Sequence, residues 1–195
     1  MTKSVVVGLT GSMGAGKSTA VKMIHEMVIP VFESDKNVHL LMRDNREMKK
    51  LFYRKFPECM VNDQIDRSVL SALIKDEKLD VRQLEQMIYP FLEKELQDFF
   101  RRHRSEPVVV LDVPLLFESG WDKYCDKIIV VSAPAEVLKR RVFERPGMTE
   151  EKYKILMQRQ MFDDEKRKKA DYVIETQYGL EPVRRRLTEI MDELK

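Results

Sequence analysis

Residues 11 to 18 read GSMGAGKS and fit G-x-x-x-x-G-K-[ST], the spacing with which a backbone loop wraps a row of phosphates. Gly11, Gly14 and Gly16 let successive N–H groups turn toward an anion, and the N-terminus of a following helix adds its positive end. Lys17 is placed to reach the β- and γ-phosphates, and Ser18 to offer its hydroxyl to Mg²⁺. Met13, Ala15 and Thr19 complete the candidate nucleotide-binding run. The competing reading is a glycine-rich turn with an incidental lysine, which residue abundances produce in roughly one chain in a hundred of this length. Strand-like SVVV before the motif and helically spaced AVKMIHEM after it supply the context that the phosphate reading requires.

Two carboxylates are candidates for work beside such a loop. Asp35 follows the apolar run IPVFE and opens a helical pattern, so it is either a helix cap or the group that accepts or orients the proton of an acceptor hydroxyl. Asp112 ends VVVLD, the position of a strand-end carboxylate that supports Mg²⁺, or of an ordinary aspartate satisfying turn amides. After it, PLLFE gives an apolar surface with Glu118 at its edge. Arg140, Arg145 and Arg159 are candidates to fold over a triphosphate and stabilise charge on the transferred group; the alternative is arginines on a solvated helix. Arg140 and Arg141 are helical neighbours and cannot both face the site. Thr149, followed by Glu150 and Glu151, reads as a helix start after the PG break.

These groups need a scaffold. Apolar β-branched runs at 4–9, 29–33, 107–112, 127–132 and 171–175 alternate with helical patterns, the longest at 80–104. Short buried strands alternating with helices predict an α/β fold, a parallel sheet covered on both faces. Residues 36 to 104 hold no strand candidate and are expected to form a wholly helical excursion under which an acceptor could sit. At 195 residues the chain suits one domain with a possible inserted subdomain.

Composition narrows the partners. Lys and Arg number 35 against 33 Asp and Glu, a net charge of +2 with the signs interspersed, which argues against nucleic acid as the main partner. No apolar stretch approaches a membrane span, and the start of the chain lacks a signal-peptide pattern, so a cytoplasmic location is expected. Cys59 and Cys125 are far apart without metal-like spacing, and His25, His39 and His103 form no ligand pattern. A phosphate loop identifies a nucleotide and not a reaction. No guanine-reading N-K-x-D is present, and a small chain with a helical insert and a late arginine-bearing segment suits a small-molecule kinase.

Several motifs in order carry a family resemblance: GLTGSMGAGKST, VFESD, DRSVLSALI, LEQMIYP, LDVPLLFESG, LKRRVFER and RQMFDDEKRKKADYVIE. The chain resembles the dephospho-CoA kinases nearly end to end. The resemblance implies ATP-dependent phosphorylation of the ribose 3′-hydroxyl of dephospho-coenzyme A, with Mg²⁺, on a five-stranded parallel sheet of the P-loop NTPase, nucleotide-kinase-like type. It implies a core of residues 1–35, 105–139 and 170–195, a helical CoA-binding subdomain at 36–104 and a lid at 140–169. Asp35, Lys17 and Arg140 are then the candidate catalytic residues, Arg145 and Arg159 nucleotide contacts, Ser18 and Asp112 metal ligands, and Thr10, Asp35, Tyr89, Leu116 and Glu118 acceptor contacts. Partners are expected to be ATP and dephospho-CoA, with no nucleic acid and no membrane, the chain acting as a monomer or weak homo-oligomer. Glu33 and Ser34 stand where the family usually has Asp and Ala, His39 where Arg is common, and Tyr89 where a His precedes the proline. A kinase for another nucleoside, nucleotide or sugar, and a nucleotide-binding regulatory protein with little turnover, remain open alternatives.

Overall fold

The five β-branched runs become five strands of one sheet in a computed structural model that describes residues 4–195. Residues 1–3, which the expected core included, lie outside the described residues. In chain order the elements begin with β1 (Val5–Gly11), α1 (Lys17–Glu26), β2 (Val31–Glu33), α2 (Ser34–Asp44) and α3 (Arg46–Lys55). They continue with β3 (Met60–Val61), β4 (Gln64–Ile65), α4 (Arg67–Lys75), α5 (Val81–Arg102) and β5 (Val108–Asp112). The last are β6 (Lys127–Ser132), α6 (Ala135–Phe143), α7 (Glu150–Gln158), α8 (Asp163–Lys169), β7 (Tyr172–Glu175) and α9 (Leu180–Leu194).

The sheet is parallel, with strand order β2-β5-β1-β6-β7. The central strand β1 pairs β5 on one side, with Leu9 beside Asp112, and β6 on the other, with Gly11 beside Val131. The chain therefore reverses its direction of travel across the sheet at β1. In such folds ligands bind beyond the carboxyl ends of the strands at that reversal, which is where residues 11 to 18 begin. Burial on both faces explains the near-continuous Val, Ile and Leu of the central strands: every residue of β5 is buried. Val7, Leu9, Val110, Ile129 and Val131 pack with Ala20 and Ile24 of α1 and with Leu187, Ile190 and Met191 of α9, the last three on one face of that helix.

Contacts divide the chain into two compact units, one formed by the two ends of the chain up to Phe32 and from His103, the other spanning Glu33–Arg102. The second unit holds α2 to α5. Asn45 caps α3 by accepting from the Met48 N–H, and Asp66 caps α4 by accepting from the Ser68 and Val69 N–H groups. A bond from the Ser68 hydroxyl, joined by those two N–H groups, holds the Asp66 carboxyl below the usual carboxylate range. This unit is not wholly helical, as the sequence suggested. β3 and β4 form an antiparallel hairpin in which Val61 pairs with Gln64 across Asn62 and Asp63. Both turn residues have φ in the left-handed region, 49° and 58°, as a two-residue hairpin turn demands. Strands two residues long have no room for the alternation by which a strand is recognised.

The two cysteines belong to the packing. Cys59 is buried, and desolvation raises its thiol above the ordinary value; Cys125 is pushed up to about 12 by burial, with Asp122 and Asp126 adding to the shift. Only the thiolate is nucleophilic, so at pH 8 the folded protein should alkylate far more slowly at both positions than the same chain in urea. Rapid labelling of Cys125 in the folded state, read by peptide mass spectrometry, would contradict this packing.

Candidate nucleotide and phosphate site

The loop between β1 and α1 takes its shape from its glycines. Gly14 and Gly16 have φ of 87° and 89°, which side-chain-bearing residues rarely adopt. Gly14 is further constrained because a Cβ there would lie 2.6 Å from the Leu138 carbonyl of α6. The turn is closed by the Ala15 N–H donating to the Ser12 carbonyl at 2.9 Å, and α1 starts as Thr19 and Ala20 donate to the Gly16 carbonyl. Ser18 is exposed in the first turn of that helix.

Lys17 and Asp112, 95 positions apart, come together: Lys17 Nζ donates to Asp112 Oδ1 at 2.5 Å, and both side chains are mostly buried. The lateral pairing of β1 with β5 brings this about, since Asp112 ends β5 beside the strand from which the loop departs. A lysine so held is in place for phosphate contact, and its partner is an acid with which Ser18 could share a hard cation. Mg²⁺ takes one or two carboxylates together with substrate phosphates and waters, so this sparse donor set fits it. Among the described residues no cluster of three or more His, Cys, Asp or Glu forms a ready-made cage.

The arginines divide differently from the sequence expectation. Arg140 lies exposed, 3.8 Å from Glu144 on the outer side of α6. The guanidinium at the loop belongs to Arg141, which donates to the Gly14 carbonyl at 3.3 Å, to Thr176 Oγ1 at 2.8 Å and to the Thr176 carbonyl at 2.9 Å. The reason is helical phase: Leu138 presses on Gly14, and Arg141, one turn later, shares that face. Arg145 is exposed beyond the end of α6, and Arg159 is exposed at the C-cap of α7.

Three candidate acceptor contacts have other employment. The Thr10 side chain is fully buried and its hydroxyl donates to the Pro114 carbonyl at 3.0 Å, tying the end of β1 to the segment after β5. Leu116 also has no exposed surface, and it lies where a Cβ on Gly8 would meet it at 2.9 Å. Neither side chain is available to a ligand. Glu118 accepts from the Met161 N–H at 2.7 Å and pairs at 3.0 Å with Lys166, a lysine with no exposed surface. Gln160, missed in the sequence, accepts from the Met13 N–H of the loop at 3.0 Å. Only its place directly after Arg159 pointed toward it.

In the helical unit, Asp35 is exposed in the first turn of α2. The helix starts at Ser34, so Asp35 stands one residue inside it and not at the cap position. Glu33 occupies the cap position, and its carboxylate pairs with Lys36 at 2.7 Å. His39 Nδ1 lies 3.5 Å from an Arg67 guanidinium nitrogen, so an arginine is supplied beside the position where the sequence has histidine. Tyr89 is half-buried on α5, directly before Pro90.

With this geometry in view, comparison with known proteins is informative. Residues 5–181 match the family model described as dephospho-CoA kinase. A dephospho-CoA kinase of Mesorhizobium japonicum is 43% identical over 193 residues, covering 98% of this chain and 97% of that protein. A crystal structure from Thermus thermophilus superposes with a TM-score of 0.84 at 32% identity, covering the whole of both chains. A dephospho-CoA kinase from Campylobacter jejuni shares the fold with a TM-score of 0.70 at 24% identity, over 96% of each chain.

Proposed function

The chain belongs to the dephospho-CoA kinase family, and from that premise we propose that it transfers the γ-phosphoryl group of ATP to the ribose 3′-hydroxyl of dephospho-CoA, giving coenzyme A and ADP in CoA biosynthesis. The single observation that carries the proposal is the Lys17–Asp112 pair at the carboxyl ends of β1 and β5, beside a loop shaped by Gly14 and Gly16.

In the proposed mechanism the loop N–H groups and the start of α1 hold the phosphates, and Lys17 leaves Asp112 to reach the β- and γ-oxygens. Ser18 and the released Asp112 are the residues that would hold Mg²⁺, which when bound neutralises charge on those oxygens. Asp35 accepts or orients the proton of the attacking hydroxyl. Arginines of the 140–159 segment stabilise charge on the group in transit. Residues 36–104 are proposed to bind the CoA moiety and 140–169 to act as the lid. Tyr89 is the proposed acceptor contact on α5. No described helix is long and apolar enough to cross a membrane. A cytoplasmic monomer or weak homo-oligomer is the proposed working state.

The test is product identity. With Mg²⁺ and ATP, the purified chain should add one phosphoryl group to dephospho-CoA and leave other nucleosides, nucleotides and sugars unmodified, as read by mass spectrometry. Preferential transfer to one of those other acceptors would overturn the assignment. Water competes as an acceptor, so a lid that completes the site only around the right acceptor limits wasteful hydrolysis. Hydrogen exchange across residues 140–160 is accordingly expected to slow with a non-hydrolysable ATP analogue plus dephospho-CoA. Unchanged protection there would remove the lid from the mechanism.

A further inference from the structure

The chain is pinned just past the end of α7, where Arg159 forms the C-cap. Its last anchors are the Met13 N–H donating to Gln160 Oε1 at 3.0 Å and the Met161 N–H donating to Glu118 Oε1 at 2.7 Å. Glu118 is itself fixed by the fully buried Lys166 at 3.0 Å, an ion pair that burial makes costly to separate. Two consecutive residues thus tie the end of α7 to the phosphate loop on one side and to the segment after β5 on the other.

The chemistry of the Gln160 side chain matters here. A backbone N–H can only donate, so the amide must turn its oxygen to Met13, and its NH₂ remains a donor pair. Glutamate would make the same bond from the same length but would set a negative charge against the loop that receives a triphosphate. Glutamine is the neutral acceptor of that reach. Arg159 is the preceding residue, its Cα about 3.8 Å along the chain, so whatever fixes Gln160 also fixes the backbone from which Arg159 extends.

We infer that Gln160 is a positioning residue: it clamps the end of α7 to the phosphate loop, setting where Arg159 is delivered and holding the loop in its phosphate-ready form. This rests on the kinase reading above. A misplacement of about 1 Å in a positioned group can cost on the order of a hundredfold in rate, so the effect belongs mainly in kcat.

Two substitutions separate the clamp from a mere structural support. Gln160→Met keeps the length and loses the acceptor; it should lower kcat about ten- to a hundredfold, with KM for ATP within about threefold and Tm nearly unchanged. Gln160→Glu keeps the acceptor and should retain kcat within a few-fold, while KM for ATP rises about tenfold, a penalty that shrinks with added salt. Calorimetric binding of a non-hydrolysable ATP analogue to Gln160→Glu gives the second readout without any acceptor. A wild-type protein that binds the analogue but leaves dephospho-CoA unmodified would thus fail the acceptor assignment alone. Gln160→Met turning over at the wild-type rate would overturn the clamp, as would both variants losing Tm and kcat together with no salt-dependent ATP penalty in Gln160→Glu.

Discussion

Lys17→Ala is expected to lower phosphorylation of dephospho-CoA by roughly a thousandfold, the order of loss seen when one preorganised group facing developing charge is removed. Its ammonium is held at 2.5 Å by Asp112 in a spot mostly screened from water, beside the loop, and has only to exchange that carboxylate for phosphate oxygens when nucleotide binds. The same geometry predicts a side effect. Without the lysine, Asp112 at 8% exposure is left as a largely buried carboxylate without that cation, which should cost about 1–3 kcal/mol of stability. Lys17→Ala combined with Asp112→Asn should recover much of that stability and none of the activity. Single-turnover transfer and thermal melting on the same preparations separate the two effects. Turnover near wild type in folded Lys17→Ala protein would sink the phosphate-loop mechanism.

How far the sequence reached depends on what each element had to bury. KIIVVS became β6 residue for residue, because a strand covered on both faces needs an unbroken apolar run and leaves little choice of boundary. For the same reason the inward or outward direction of residues in such a run is illegible. Thr10, in β1, looked available as an acceptor contact and is completely buried, as is Leu116 in the turn after β5. The hairpin at Met60–Val61 and Gln64–Ile65 left no periodic signal, only a pair of residues tolerant of left-handed backbone.

The loop itself was legible down to Lys17 and Ser18, since phosphate binding uses contiguous backbone. Asp112 was legible as a strand end, although its partner was not. What failed were side-chain pairings between distant segments, such as Glu118 with Lys166 and Gln160 with Met13. That Arg141 and not Arg140 contacts the phosphate loop here was illegible too, because it required knowing which face of α6 meets the loop. That face is fixed by the close approach of Leu138 to Gly14, which only a glycine permits.

Asp35→Asn carries the other large effect. Asn is nearly isosteric, and Asp35 is exposed inside the first turn of α2 rather than at its cap position, so the substitution should leave the melting temperature nearly unchanged. What it removes is a carboxylate two positions past the end of β2, the one proposed to accept or orient the acceptor proton. General-base assistance is typically worth about 10²- to 10⁴-fold, and a loose phosphoryl transfer relies on the orienting part of that role more than on early proton removal. A drop in kcat of at least about a hundredfold is expected, while affinity for ATP stays near wild type because Lys17 and the loop amides hold the triphosphate. Melting temperature, single-turnover transfer and ATP affinity are best measured on one preparation. A folded Asp35→Asn protein that transfers phosphate at close to the normal rate would move the search for the catalytic carboxylate to Asp112, which already lies against Lys17.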